Sequence, residues 1–139
     1  MAEMKAALLV LGAGAWGTAI GSRLASGSGA TVKLWSRSRK LAELINETGI
    51  NQDYLPGIQL SENLTSSSNL AELISWLKNE PEDTIKCLLL AIPSKAFYKI
   101  CSKLQQFNLQ NLIFVSLCKG VVFFEGKNYF PSEIIKRYF

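Results

Sequence analysis

From Lys5 to Leu11 the chain is apolar at almost every position. That suits a strand buried on both faces, as in a parallel sheet, better than a strand with one wet face. From Ala15 to about Gly27 the period changes. Ala19, Ile20, Leu24 and Ala25 recur at helical spacing, and Gly27-Ser28-Gly29 ends the helix. Ala30 to Trp35 reads as a second strand. Ser36 or Ser38 can cap the next helix, in which Leu41, Leu44 and Ile45 share a face as far as Gly49.

Ile50 to Leu60 shows no period and carries a Pro56-Gly57 turn signal. Ser61 to Ser68 is polar, with Leu64-Thr65 as a short third strand. Asn69 caps a helix with Glu72 as its box partner, and Leu70, Leu73, Ile74 and Leu77 form the buried stripe. Thr84 to Ile92 is a strong strand centred on Leu88-Leu89-Leu90. Ser94 caps a helix bearing Phe97, Ile100, Cys101 and Leu104. Leu112 to Leu117 is another strand, Gly120 to Gly126 an irregular segment or short hairpin, and Pro131 opens a last helix, Ser132 to Tyr138. Strands alternating with helices predict an α/β fold, a doubly wound and mostly parallel sheet. Right-handed crossovers then set the first and fourth strands side by side, with a ligand crevice at that switch point.

The turn after the first strand carries chemistry. Gly12-Ala13-Gly14-Ala15-Trp16-Gly17 is a G-x-G-x-x-G pattern between a strand and a helix. In the Rossmann arrangement the first glycine allows the turn, the second lets phosphates approach the main chain, and the third lets the helix pack on the strand. The helix start adds free N–H groups and a partial positive charge. No P-loop pattern occurs.

Composition narrows the chemistry. With 139 residues, 48% of them hydrophobic and 19% charged, the chain is long enough for one cored domain. Its net charge of +4 is scattered apart from Arg37, Arg39 and Lys40, which argues against a nucleic-acid partner and is compatible with a small anionic ligand. Histidine is absent, so Ser-His-Asp and Cys-His catalysis and a histidine general acid within this chain are excluded. Cys87, Cys101 and Cys118 are odd in number and lack ligand spacing. They read as reduced thiols, with no metal site. No apolar run reaches membrane-span length, and the apolar run at the start is too short and glycine-broken for a leader, so the expected location is cytoplasmic.

Five patterns in order carry a resemblance: G-A-G-A-W-G at 12 to 17, L-W-S-R at 34 to 37, N-x-x-Y-L-P-G at 51 to 57, A-I-P-S at 91 to 94 and C-K-G at 118 to 120. Ser132-Glu133-Ile134-Ile135 fits the helix that follows. Over nearly its whole length the chain resembles the N-terminal Rossmann domain of bacterial NAD(P)-dependent glycerol-3-phosphate dehydrogenase. The resemblance implies that Gly12, Gly14, Ala15, Trp16 and Gly17 hold the cofactor pyrophosphate. It implies that Arg37 meets the adenosine ribose, Pro93 shapes the nicotinamide side, and Lys119 serves both the nicotinamide and the substrate phosphate. Many members carry Ser or Thr where Ala15 stands, so a hydroxyl contact is lost there. The Tyr54-Leu55-Pro56-Gly57 stretch reads as architectural.

An NAD-selective site carries a carboxylate near the end of the second strand. Here Trp35-Ser36-Arg37-Ser38-Arg39 offers none before Glu43, which leans to NADP over NAD. The implied reaction is hydride transfer between NAD(P)H and dihydroxyacetone phosphate, giving sn-glycerol 3-phosphate, a glycerophospholipid precursor. No residue matches the family's general-acid lysine, which belongs to a helical domain after residue 139. The expectation is therefore a single dinucleotide-binding domain over 1–139, lacking its last strand, with no catalytic residue of its own. Little turnover is expected, and self-association through the open sheet edge is. A non-catalytic NADP-binding remnant or a nucleotide-sensing module stays open as the alternative.

Overall fold

The computed structural model describes residues 5–27 and 29–139. Ser28, part of the expected helix stop, lies outside them. The elements run β1 (Ala6–Leu11), α1 (Ala15–Ala25), β2 (Ala30–Trp35), α2 (Arg39–Thr48), β3 (Leu64–Ser67), α3 (Leu70–Asn79), β4 (Ile85–Leu90), α4 (Ser94–Leu104), β5 (Ile113–Ser116), β6 (Val122–Phe124), β7 (Lys127–Tyr129) and α5 (Pro131–Tyr138).

β1 to β5 form one parallel sheet in the order β3-β2-β1-β4-β5. The chain winds outward from β1 in both directions, so the order reverses between β1 and β4 and opens a crevice at their carboxyl ends. Central position explains the apolar run in β1: Ala7, Leu9 and Leu11 face one core and Val10 the other, each 0% exposed. The first core is closed by α3, α4 and α5, through Leu77, Phe97, Leu104 and Ile134, and the second holds Ala25 of α1 and Leu41 and Ile45 of α2. Among the described residues no helix is long and apolar enough to cross a membrane.

Local chemistry sets the boundaries. α1 ends at Ala25, two residues before the expected stop, because the Ser26 hydroxyl donates to the Ser22 carbonyl and Gly27 N–H already turns back to Leu24. Ser38 caps α2, accepting from Leu41 N–H at 3.2 Å, and Gly49 closes it at φ 68°. Asn69 caps α3, accepting from Glu72 N–H, but the box is half made. Asn69 N–H donates to Ser67 Oγ in place of Glu72. Ser94 is not the cap of α4. Pro93 occupies that position with its carbonyl accepting from Ala96 N–H, and Ser94 is already helical. The segment after β5 is a hairpin, β6 against β7, turning at Glu125-Gly126 with both residues at positive φ. Its Val122 is fully buried and its Phe124 ring lies 4.8 Å from Tyr98 of α4. Pro131 is the first residue of α5, and Glu133 accepts from Phe130 N–H at 2.6 Å.

Candidate nucleotide-binding cleft

Backbone bonds extend the sheet ladder past the strands and align the residues that follow them. Gly12 N–H donates to Trp35 O, Ser36 N–H to Ser67 O, Ala91 N–H to Leu11 O and Leu117 N–H to Leu90 O, all between 2.9 and 3.1 Å. These residues floor a cleft of about 490 Å³ along the carboxyl edge. All eight residues singled out from the sequence line it: Gly12, Gly14, Ala15, Trp16, Gly17, Arg37, Pro93 and Lys119. A second hollow of about 660 Å³ lies among Lys78, Glu82, Lys86 and Asn108, at the opposite ends of the strands. Position therefore decides between the two, since size does not.

The three glycines differ in what they do. Gly12 sits at φ 116°, and a Cβ there would strike the Ala91 carbonyl. A Cβ on Gly17 would strike the Gly12 carbonyl and the Ala91 side chain. Both are required by the fold. Gly14 has extended backbone, φ −73° and ψ 179°, and nothing lies within 4 Å of the place its Cβ would take. The fold leaves that space open, and Gly14 is one of the residues lining the cleft. Gly14 also starts α1 without a side-chain cap, so the first N–H groups of the helix are free for an anion.

Among the described residues no carboxylate lines the cleft. Two cations do. Arg37 follows β2 and Lys119 follows β5, three inter-strand spacings or roughly 14 Å apart along the sheet. Among the described residues the ion pairs are Arg39–Glu43 and Arg137–Glu125, so Arg37 and Lys119 hold no carboxylate partner. Lys119 Nζ lies 5.6 Å from the centre of the Trp16 ring, which is 47% exposed. Ser36 is buried at the cleft wall, and its hydroxyl accepts from Ser38 N–H. Cys118 lines the cleft as well. Desolvation pushes its thiol up, which keeps it protonated and poorly nucleophilic at neutral pH.

Sequence reasoning missed Tyr54, whose exposed side chain also lines the cleft, and Ser36, Leu117 and Cys118. Only the fold brings Tyr54 there. The N-x-x-Y-L-P-G spacing was the available signal.

A parallel sheet wound both ways from β1, with a glycine turn and an uncapped helix start at its crevice, is a Rossmann-type domain. Comparison with known proteins narrows the class. A profile described as NAD-dependent glycerol-3-phosphate dehydrogenase N-terminus matches residues 7–139, and the chain belongs to that family. It is 35% identical over 112 residues to glycerol-3-phosphate dehydrogenase [NAD(P)+] of Bacillus licheniformis, covering 81% of this chain and 30% of that protein. The Streptomyces coelicolor enzyme of the same name is 38% identical over 112 residues, covering 81% and 31%. The crystal structure of glycerol-3-phosphate dehydrogenase from Coxiella burnetii superposes with a TM-score of 0.78 at 25% identity, over 96% of this chain and 38% of that one. The chain thus spans about a third of the length of the relatives it matches.

Proposed function

We propose that residues 1–139 form one dinucleotide-binding domain and serve as the cofactor-holding part of a cytoplasmic glycerol-3-phosphate dehydrogenase. The observation that carries this reading is the open space at Gly14. Gly14 is also the uncapped start of α1 and lines a cleft in which no described residue is a carboxylate, which leaves room and free N–H groups for a pyrophosphate. When bound, NADP(H) or NAD(H) supplies the hydride. The chain's own residues bind and orient it. The N–H groups of Gly14, Ala15, Trp16 and Gly17 take the pyrophosphate. Arg37 takes the adenosine ribose and its 2′-phosphate, Pro93 forms the wall on the nicotinamide side, and Lys119 reaches the nicotinamide end and the phosphate of dihydroxyacetone phosphate.

The absence of a carboxylate between Trp35 and Glu43 favours NADPH over NADH. A guanidinium–phosphate bond is worth about 1.5–3 kcal/mol, or roughly tenfold to a hundredfold in affinity. Calorimetric titration should therefore give at least tenfold tighter binding of NADPH, and Arg37→Ala should bring the two cofactors level. Equal affinities in the parent chain would reject the 2′-phosphate assignment. Binding alone lacks proton delivery, so NADPH oxidation with dihydroxyacetone phosphate should stay near background for this chain. Rapid turnover would show that a general acid lies within it.

The same reading extends to self-association. Register places Ile113 of β5 beside Cys87, and Val115 beside Leu89, on one sheet face. Ile113 and Val115 are 52% and 37% exposed, an apolar strip at the β5 edge that suits a second copy of this chain.

A further inference from the structure

Asn51 is 0% exposed, and its side chain is engaged entirely with the framework of the cleft. Its Nδ2 donates to Ala13 O at 2.9 Å and to Thr18 Oγ1 at 2.8 Å, and its Oδ1 accepts from Tyr54 N–H at 3.2 Å. Its own carbonyl accepts from Leu55 N–H at 2.8 Å. One buried amide thus joins the glycine turn, α1 and the loop carrying Tyr54. Filling that space needs no amide, since an apolar side chain of similar size would do. What the amide adds is direction.

Among the described residues no peptide bond is cis. In a trans peptide the C=O and the following N–H lie in one plane and point in opposite directions. Asn51 draws the Ala13 carbonyl to itself, so Gly14 N–H is turned away from Asn51, and both residues of that peptide line the cleft. We propose that Asn51 is a positioning residue for the anion site: it fixes the Ala13–Gly14 peptide so that Gly14 N–H is aimed at the pyrophosphate. This rests on the dinucleotide reading above. Without the Nδ2 donor, the buried Ala13 carbonyl is left unpaired. The peptide can then rotate and present oxygen to the phosphate. Asn51→Asp sharpens the case. It keeps the shape and can still accept from Tyr54 N–H, and Thr18 must turn from acceptor to donor, but it sets a carboxylate against the Ala13 carbonyl.

The test is a titration of the ¹⁵N-labelled full chain with NADPH and, separately, with adenosine, which lacks the pyrophosphate. In the parent, NADPH should move the Gly14 amide proton downfield, the signature of a new hydrogen bond to an anion. Folded Asn51→Asp should bind NADPH at least tenfold more weakly, lose that shift, and keep its affinity for adenosine. Parental NADPH affinity in the folded variant would overturn the proposal. So would equal weakening of NADPH and adenosine, the mark of a purely structural clamp. If the variant does not fold, the parent still decides. A Gly14 amide that stays put while NADPH saturates the other cleft amides removes the role assigned to Asn51. A folded parent that binds no NADPH at all sinks the dinucleotide reading and this inference with it, by a different signal.

Discussion

At the scale of single residues, the glycines of the turn separate folding from binding. Gly12→Ala combines strained backbone with a clash on the Ala91 carbonyl, and Gly17→Ala drives a methyl into the Gly12 carbonyl. Each should lower stability by about 2–4 kcal/mol in urea unfolding. Gly14→Ala meets nothing and needs no left-handed backbone, so its unfolding midpoint should stay close to the parent's. A Gly14→Ala chain as unstable as the other two would mean that the open space has been misread. Gly12, Gly14 and Gly17 were legible from the G-x-G-x-x-G turn between strand and helix, whereas Ala15, Trp16, Arg37, Pro93 and Lys119 were legible through the family resemblance; all eight line the cleft. Asn51 and Tyr54 were legible only as part of a motif, and the motif was read as architecture. The Asn51 link to the turn spans 38 residues, and local period and propensity say nothing of such a contact.

At the scale of elements, α4 and α5 show how far the core reaches. Cys101 of α4 is fully buried, and burial pushes its thiol up to about 12. The sign follows from linkage. A folded-state pKa raised above the ordinary thiol value means the folded chain holds the proton more tightly. Its contribution is unchanged below about pH 9 and is lost as pH climbs from there toward 12, at up to about 1.4 kcal/mol per pH unit. The stability difference between the parent and Cys101→Val should therefore be flat from pH 6 to 8 and shift against the parent above pH 9. A difference that stays constant to pH 11 would place the thiol in contact with water. Ile134 is the fully buried anchor of α5, and Ile134→Ala should cost about 2–4 kcal/mol. A change under 1 kcal/mol would mean that α5 rests on the domain without stabilising it. Outside the β6–β7 hairpin, helix and strand identity followed from periodicity and its flanking turn and cap signals. The errors fell at ends, where single hydrogen bonds decide. Pro93 took the cap position from Ser94, and Ser67 Oγ took the Asn69 N–H that Glu72 was expected to bind. The hairpin needed β6 and β7 to find each other across Glu125-Gly126, and neither three-residue strand is periodic enough to announce itself.

At the scale of the whole molecule, the alternation of strands and helices with right-handed crossovers predicts a doubly wound parallel sheet with β1 beside β4, and the structure pairs those two strands. The continuous apolar run of β1 matched its central place between β2 and β4. What the pattern left unread is which faces stay open. Ile113 and Val115 are apolar like the residues of β4, yet they lie on a strand with a neighbour on one side only. That strip predicts concentration-dependent association. Sedimentation velocity across a loading series should show a rising mean sedimentation coefficient, and Ile113→Lys should flatten it. A monodisperse monomer at every loading would remove that surface. The central claim is that the carboxyl-edge cleft, with its open Gly14, holds a nicotinamide dinucleotide. The most direct measurement is the tryptophan fluorescence of the folded chain during NADPH titration, with Gly14→Ala measured alongside. Trp16 reports from the glycine turn, Trp35 reports from the same cleft, and Trp76, outside its lining, adds background. Saturable quenching in the parent and none in the folded Gly14→Ala chain is the predicted result. A folded parent that gives no saturable response, or a Gly14→Ala chain that binds as tightly as the parent, would contradict it.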